Sequence, residues 1–458
     1  GEEPGVEQAV TREAGERRVV PVDRPAAVTP ATVLLDAGQL TRTRLPRFPA
    51  QLFPTDAALC RGLAVVCVDA VPRWEAPRRR ALLDWLAAGG CVIVLHGEDG
   101  RWPRFGPAWG PLAGDAERHV AGRIVRVARA AGTVTPDEAR ALALAEPMAA
   151  RYDSDHTFAP TAFFPDLRTI TQPEHAWGLI ALLLIVYLVL VAPVPWWLGR
   201  RHGPRLVYAV LLGAVVVWSL VLAQVGRRGY GETSAHHALT VATQVAPERY
   251  CVTQFGIRFA TDGGVRRIGF AGSAMFSTGE SHPTGGTMID ADAGEIALDI
   301  PIFASRSYVA SATVSGPKVS VQTERIAALD PAALDLDLRL TGVASVSADA
   351  WLLWRGRVYR AHCTGEEIRV RGDGLPLAAR IEVPGGSPRP PRAREIALPL
   401  VAAALGGPER LAAGNRARVG ATLLLAISSD AFAPAQAAPG VHILAYRLPV
   451  DLERTTTP

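Results

Sequence analysis

The residues best placed to do chemistry in this chain follow directly after two apolar segments. The run LAVVCV is followed by Asp69, and the run CVIVL is followed by His96-Gly97-Glu98-Asp99. Carboxylates and an imidazole at neighbouring strand ends can act as acid and base, or can contact a bound ligand. We therefore take Asp69, His96 and Glu98 as the candidate ligand-binding residues.

The rest of the sequence offers little for catalysis. It contains no G-x-S-x-G, H-E-x-x-H or Walker A motif, and no glycine-rich dinucleotide motif between a strand and a helix. His96, Glu98 and Asp99 could hold a metal ion, but three polar residues in one exposed turn are more often only solvated. We predict no catalytic residue, no metal and no cofactor.

An α/β domain is predicted to position these residues. Residues 31–36 (ATVLLD) and 63–69 (LAVVCVD) are continuous apolar runs, typical of parallel strands buried on both faces. An amphipathic helix is expected at 77–88, with Asp84 pointing away from its apolar face, and a Gly-Gly pair ends it before the strand at 91–95. A strand–helix–strand unit of this kind indicates a parallel sheet.

The segment LAVVCVDAVPRWEAPRRRALLDWLAAGGCVIVLHG resembles the class I glutamine amidotransferase-like family in its membrane-protein form. In catalytic members of that family, the turn after the second strand presents a cysteine nucleophile between glycines. Here the same turn reads Leu95-His96-Gly97-Glu98-Asp99 and has no cysteine. The resemblance therefore implies a flavodoxin-like α/β domain, within residues 1–150, without the family's nucleophile.

Two long apolar segments predict a transmembrane hairpin at 176–226. Residues 176–199 and 206–226 contain no charged residue, and about 20 apolar residues suffice to cross a bilayer as a helix. We expect spans at 176–198 and 206–226, joined to the α/β domain by a juxtamembrane linker at 151–175. Pro193 and Pro195 should kink or end the first helix.

The short turn between these segments carries Arg200, Arg201 and Arg205. The positive-inside rule places such a turn in the cytoplasm and both flanking domains outside it. The sequence thus predicts a multi-pass protein of the bacterial inner membrane with two extracytoplasmic domains and the lipid bilayer as a partner. Because the chain starts at Gly1 rather than Met, we expect a removed signal peptide or a longer parent chain.

The C-terminal region, 228–458, is predicted to be an all-β sandwich-like domain. Short alternating runs recur between glycine-rich turns, and the run LDLDLRL at 334–340 has the strict period of two that a half-buried strand shows. The segment from Trp354 to Arg360 combines aromatic and basic residues. It favours an exposed edge hairpin, or alternatively an aromatic platform for a polysaccharide.

Composition limits the function further. The chain has 458 residues, a formal net charge of +4, 49% hydrophobic and 20% charged residues. These values exclude a disordered chain, and the absence of basic runs alternating with aromatic residues argues against nucleic-acid binding. Five scattered cysteines do not form a disulfide framework.

We therefore predict a multidomain membrane protein in which an α/β domain, a transmembrane hairpin and a β-sandwich-like domain follow one another. The expected function is non-catalytic binding of a partner or ligand in the cell envelope, for example as an accessory subunit of a transport or assembly complex. Two alternatives stay open. One is a hydrolase or amidotransferase-like enzyme that uses the α/β crevice, and the other is a polysaccharide-binding protein.

Overall fold

A computed structural model gives the fold. It describes residues 10–13, 16–19, 31–36, 43–60, 63–144, 177–201, 204–228, 234–269, 275–278, 287–290, 294–302, 304–330, 333–343, 349–354, 357–376, 421–428, 432, 442–450 and 452. Strands account for 52% of this structure. The predicted linker at 151–175 lies outside the described residues.

Strands β1 to β8 lie in the N-terminal third of the chain. Their bounds are Val10–Glu13, Glu16–Val19, Ala31–Asp36, Arg47–Pro49, Leu63–Val68, Cys91–His96, Arg118–His119 and Gly122–Ala130. The helices α1 to α5 are Ala76–Ala87, Pro136–Leu144, Trp177–Val191, Pro193–Arg201 and Pro204–Arg228. Short 3-10 helices span Ala50–Leu52, Ala57–Cys60, Pro107–Leu112 and Ala131–Thr133.

Strands β9 to β23 follow the last helix. Strands β9 to β16 are Ala235–Ala246, Arg249–Ala260, Gly264–Gly269, Met275–Thr278, Thr287–Asp290, Glu295–Ile300, Ala304–Ser315 and Ser320–Asp330. Strands β17 to β23 are Ala333–Thr341, Asp349–Trp354, Arg357–Thr364, Glu367–Gly372, Leu375–Pro376, Ala421–Ser428 and His442–Val450.

The α/β domain is built on a six-stranded sheet with the order β4-β3-β5-β6-β8-β7. All neighbours pair in parallel except β7 and β8. Numbered along the chain, the five parallel strands have the order 2-1-3-4-5, which is that of flavodoxin-like doubly wound sheets. The order reverses at β3, because the chain continues to β4 on one side and returns to β5 on the other. The parallel sheet predicted from the apolar runs is therefore present.

Helix α1 covers one face of this sheet. It buries Leu82, Trp85 and Leu86 against the strands. The helix ends at Ala87, and Gly89 then adopts a φ of +117°, which L side chains rarely adopt. A Cβ at the next residue, Gly90, would lie 2.6 Å from the Trp85 ring, so both glycines are needed for the turn into β6.

The predicted transmembrane hairpin corresponds to the helices α3 to α5 in the structure. Within the described residues, no helix combines the length and the apolar character needed to cross a membrane. The first segment divides at Pro193, so that α3 has only 15 residues and extends about 22 Å, against a hydrocarbon core of about 30 Å. The fold class as a membrane protein and the multi-pass inner-membrane location are therefore wrong.

The β domain forms one large sheet, in the order β12-β15-β10-β9-β23-β22-β18-β19-β20-β17-β16, with the short strand β21 paired to β19. Apolar residues from both of its halves share one core, including Leu338 on β17, Leu352 on β18 and Val252 on β10. A five-stranded sheet, β1-β2-β13-β14-β11, adds Leu298 and other residues to this core. The N-terminal hairpin β1–β2 therefore belongs to the β domain, which it joins through the pairing of Arg18 with Met288.

The two domains contact each other through α1 and the 3-10 helix Ala57–Cys60, which lie against the outer face of β9, β10 and β15. Asp84 on α1 is buried and forms an ion pair with Arg249 on β10. The Thr313 hydroxyl on β15 donates to Asp56 Oδ1 over 2.7 Å. Asp84 does point away from the apolar face of α1, as its position in the helix predicts. That direction leads into the second domain rather than into solvent.

Candidate functional site

Three carboxylates lie along the carboxyl edge of the α/β sheet, where its strand order reverses. Asp36 is the last residue of β3, Asp69 directly follows β5, and Glu98 lies in the turn after β6. Open α/β sheets bind their ligands at this position, since the loops diverge there and leave a crevice. We call Asp36, Asp69, Glu98, His96 and Arg47 the crevice residues.

The charges of Asp36 and Glu98 both act on Asp69. Asp69 is buried, with 8% of its surface exposed. Burial is the largest cause that raises its pKa, and the charges of Asp36 and Glu98 raise it further. A backbone hydrogen bond and Arg47 oppose the rise. Arg47 lies on the edge strand β4 and forms a half-exposed ion pair of 3.4 Å with Asp36.

The turn after β6 brings Glu98 to the mouth of the crevice. The Gly97 amide donates to the carbonyl of Arg101 over 2.9 Å, and the Arg101 amide donates to Asp99 Oδ1 over 3.0 Å. Asp99 therefore stabilises the turn, whereas Glu98 is exposed to solvent. At the end of β6, His96 lies edge-on to the ring of Trp102, with 4.3 Å between centroids. Trp102 itself is 39% exposed.

An aromatic cluster holds the loops on the neighbouring side of the domain. Phe53 stacks on Trp74 at 4.7 Å, and Trp74 contacts Trp109 at 5.7 Å between centroids. The Trp74 indole donates to the carbonyl of Ala50 over 2.7 Å. Because these rings are buried, they fix the loop that leads from Asp69 into α1.

The described crevice contains no activated nucleophile. No serine occurs between residues 31 and 144. Cys60, Cys67 and Cys91 are buried, and desolvation raises each thiol pKa to about 12. A thiol with such a pKa is almost wholly protonated at neutral pH and is a poor nucleophile. Among the described residues, no group of three or more histidine, cysteine, aspartate or glutamate side chains could hold a metal ion.

Other residues singled out from the sequence lie elsewhere. Arg200 lies over the ring of Trp196 at 3.9 Å, within α4. Arg201 ends α4, and Arg205 is in the first turn of α5. Without a membrane hairpin, these three arginines lose the topological role that the sequence predicted.

Trp354 also differs from its expected position. It is 2% exposed and belongs to the core of the β domain. Tyr359, on the neighbouring strand β19, is 1% exposed. Neither ring therefore forms the exposed platform that polysaccharide binding would need.

Two of the crevice residues were missed by the sequence interpretation. Asp36 ends an apolar run in the same way as Asp69, so the same pattern could have identified it. Arg47 gave no such signal, because β4 has only three residues and follows no apolar run.

Comparisons with known proteins found no match that bears on this site. No protein-family model matches the chain, and no curated protein matches it. The resemblance to the amidotransferase-like family thus stays a prediction.

Proposed function

We propose that this protein is a non-catalytic binding protein whose α/β crevice recognises a cationic group, such as the lysine side chains of a protein partner. The observation that carries this proposal is the placement of Asp36, Asp69 and Glu98 along the carboxyl edge where the strand order reverses, with the charges of Asp36 and Glu98 acting on buried Asp69. Arg47 supplies the cation that acts on Asp69 in this group. A ligand ammonium would offset the remaining negative charge and lower the cost of ionising Asp69.

The same residues argue against the alternative of an amidotransferase-like or hydrolytic enzyme. Such an enzyme needs a nucleophile hydrogen-bonded to a base. Cys67 and Cys91 are buried thiols with raised pKa values, and His96 contacts Trp102 by its ring. The chemistry in this part of the described chain suits binding better than group transfer.

Calorimetric titration with a tetralysine peptide tests the proposal. We expect binding that weakens with added salt, because part of the attraction is between partly exposed charges. Asp69→Asn should weaken it about tenfold, since a buried carboxylate is lost. Glu98→Gln should weaken it about two- to fivefold, because Glu98 is exposed.

The matched control is Glu117→Gln. Glu117 is also exposed, but its carbonyl contacts Ile124 near the start of β8, at the amino edge of the parallel sheet. This variant should bind tetralysine as the unaltered protein does, and a peptide of acetylated lysines should not bind. Equal weakening by Glu98→Gln and Glu117→Gln would mean a general charge effect and would refute the crevice as the site.

A further inference from the structure

A row of basic side chains crosses the inner face of the β-domain sheet. Arg306 on β15, Arg258 on β10 and His236 on β9 lie directly opposite one another. The ring of His442 on β23 lies 5.1 Å from that of His236. We call these four residues the basic row. Arg258 and Arg306 are like charges directly opposite on neighbouring strands, which destabilises a sheet, so strand pairing does not account for this pair.

A buried chain of hydrogen bonds fixes one end of the basic row. His236 is 0% exposed, and its Nε2 lies 2.7 Å from the Tyr308 hydroxyl. Tyr308 donates to Gln254 Oε1 over 2.7 Å, and Gln254 donates to Thr240 Oγ1 over 3.2 Å. The other ring nitrogen of His236 takes no part in this chain.

Two buried nitrogens of the row have no hydrogen-bond partner among the described residues. They are Nδ1 of His236 and Nε of Arg258. Unpartnered buried polar atoms are costly and rare, and they call for an explanation such as a ligand. Asp262, the acid that acts on Arg258, is already paired with Arg266.

Among the described residues, those whose charges act on His236 are all basic. Burial is the largest cause that lowers its pKa, to about 3, followed by His442, Arg258 and His237. The only other titratable side chain that contacts it in the described structure is the Tyr308 phenol. An anion next to the row would relieve this repulsion and favour the imidazolium form.

We propose that the basic row binds an oxyanion, either a carboxylate or a phosphate group of a small ligand. Arg258 donates to it through Nε, and imidazolium His236 donates from Nδ1 while its Nε2–H stays on Tyr308. Arg258 and Arg306 are half-buried and reach solvent, so the anion enters at the arginine end. Planar guanidinium groups suit both carboxylate and phosphate oxygens.

Calorimetry and thermal unfolding with inorganic phosphate and with acetate, at constant ionic strength set by sodium chloride, test this inference. We expect one of the two anions to bind one-to-one and to raise the unfolding midpoint, and the pair of titrations distinguishes phosphate from carboxylate recognition. Arg258→Gln should weaken binding about tenfold or more. The nitrogen NMR signal of His236 Nδ1 should shift on binding.

The control is Arg369→Gln, which removes an exposed arginine on β20 that pairs with Glu367. It should leave anion binding unchanged. If Arg258→Gln does not fold, the test uses anion binding by Arg306→Gln together with the His236 Nδ1 signal of the unaltered protein. Binding of neither anion beyond that of chloride, binding undiminished in the row variants, or an unmoved His236 signal would each overturn the inference.

Discussion

Replacing Gly256 with alanine should disrupt the buried hydrogen-bond chain of the β domain. Gly256 lies directly opposite Tyr308 on β15, and the Tyr308 ring lies across it. A Cβ at this position would lie 2.2 Å from Tyr308 Cζ, so the ring has to move. The hydroxyl would then leave both His236 and Gln254, which it contacts at 2.7 Å each.

The expected loss of stability follows from these contacts. Each buried polar atom left without a partner costs about 1 to 3 kcal/mol. Overpacking by the added methyl group costs about 1 to 3 kcal/mol more. With His236 and Gln254 both left without their partner, we therefore expect Gly256→Ala to lower the free energy of unfolding by about 3 to 9 kcal/mol, a large part of the total stability of a typical domain.

Guanidinium unfolding followed by tryptophan fluorescence measures this change. Tyr308→Phe keeps the ring over Gly256 and removes only the hydroxyl, so its cost should be smaller, at about 2 to 6 kcal/mol for the two orphaned partners. Gly106→Ala is the control, because Gly106 has a φ of −75° and no heavy atom within 4 Å of a built Cβ. A Gly256→Ala protein within 1 kcal/mol of the unaltered chain, or no less stable than Gly106→Ala, would refute this packing argument.

Further predictions concern the domain contact, acid stability and thiol reactivity. Arg249→Ala should destabilise the protein more than Asp84→Ala in denaturant unfolding, because it leaves the more buried partner unpaired. The side chain of Asp84 is 9% exposed, and that of Arg249 is 31% exposed. Equal losses of stability in the two variants would contradict this. Burial lowers the pKa of His236 to about 3 in the folded protein. Between pH 6.5 and 3 the unfolded chain therefore binds a proton at His236 that the folded protein does not, so the free energy of unfolding falls as the pH drops through this range. By pH 4 this amounts to about 3 kcal/mol, which His236→Gln should abolish in acid-unfolding curves. Cys67 and Cys91 should react with a thiol reagent only as fast as the protein unfolds, and rapid labelling of the folded chain would argue against their burial.

The crevice could be predicted from the sequence because its signals are local. Buried parallel strands are continuous apolar runs, so the polar residue that follows each run marks a strand end. That pattern placed Asp69 and His96 at the carboxyl edge of the sheet, where the structure has them. It would also have given Asp36, had the same test been applied to the first strand.

The membrane prediction failed because hydropathy alone does not define a helix. The apolar run from 176 to 199 is continuous in composition, but Pro193 lacks the amide that a continuous helix needs, and α4 begins there. The same proline that was expected to end the first span on its exit side thus leaves α3 at 15 residues. The apolar composition of the segment does not show that the helix is interrupted at Pro193.

The basic row could not be predicted from sequence patterns. His236 and His442 are brought together by the parallel pairing of β9 with β23, from opposite ends of the β domain. The ion pair of Asp84 with Arg249 likewise joins two domains. Neither periodicity nor spacing records contacts between such distant segments, so only the fold reveals them.

The most direct measurement of the proposed function is the carboxyl carbon NMR titration of Asp69, with and without tetralysine. If the ammonium groups enter the crevice, the raised pKa of Asp69 should fall when the peptide binds, because a nearby cation favours the carboxylate. The carboxyl carbon signal of Asp137, on the exposed surface of α2, should not move when the peptide is added. An Asp69 titration curve that the peptide leaves unchanged would contradict cation recognition at this crevice.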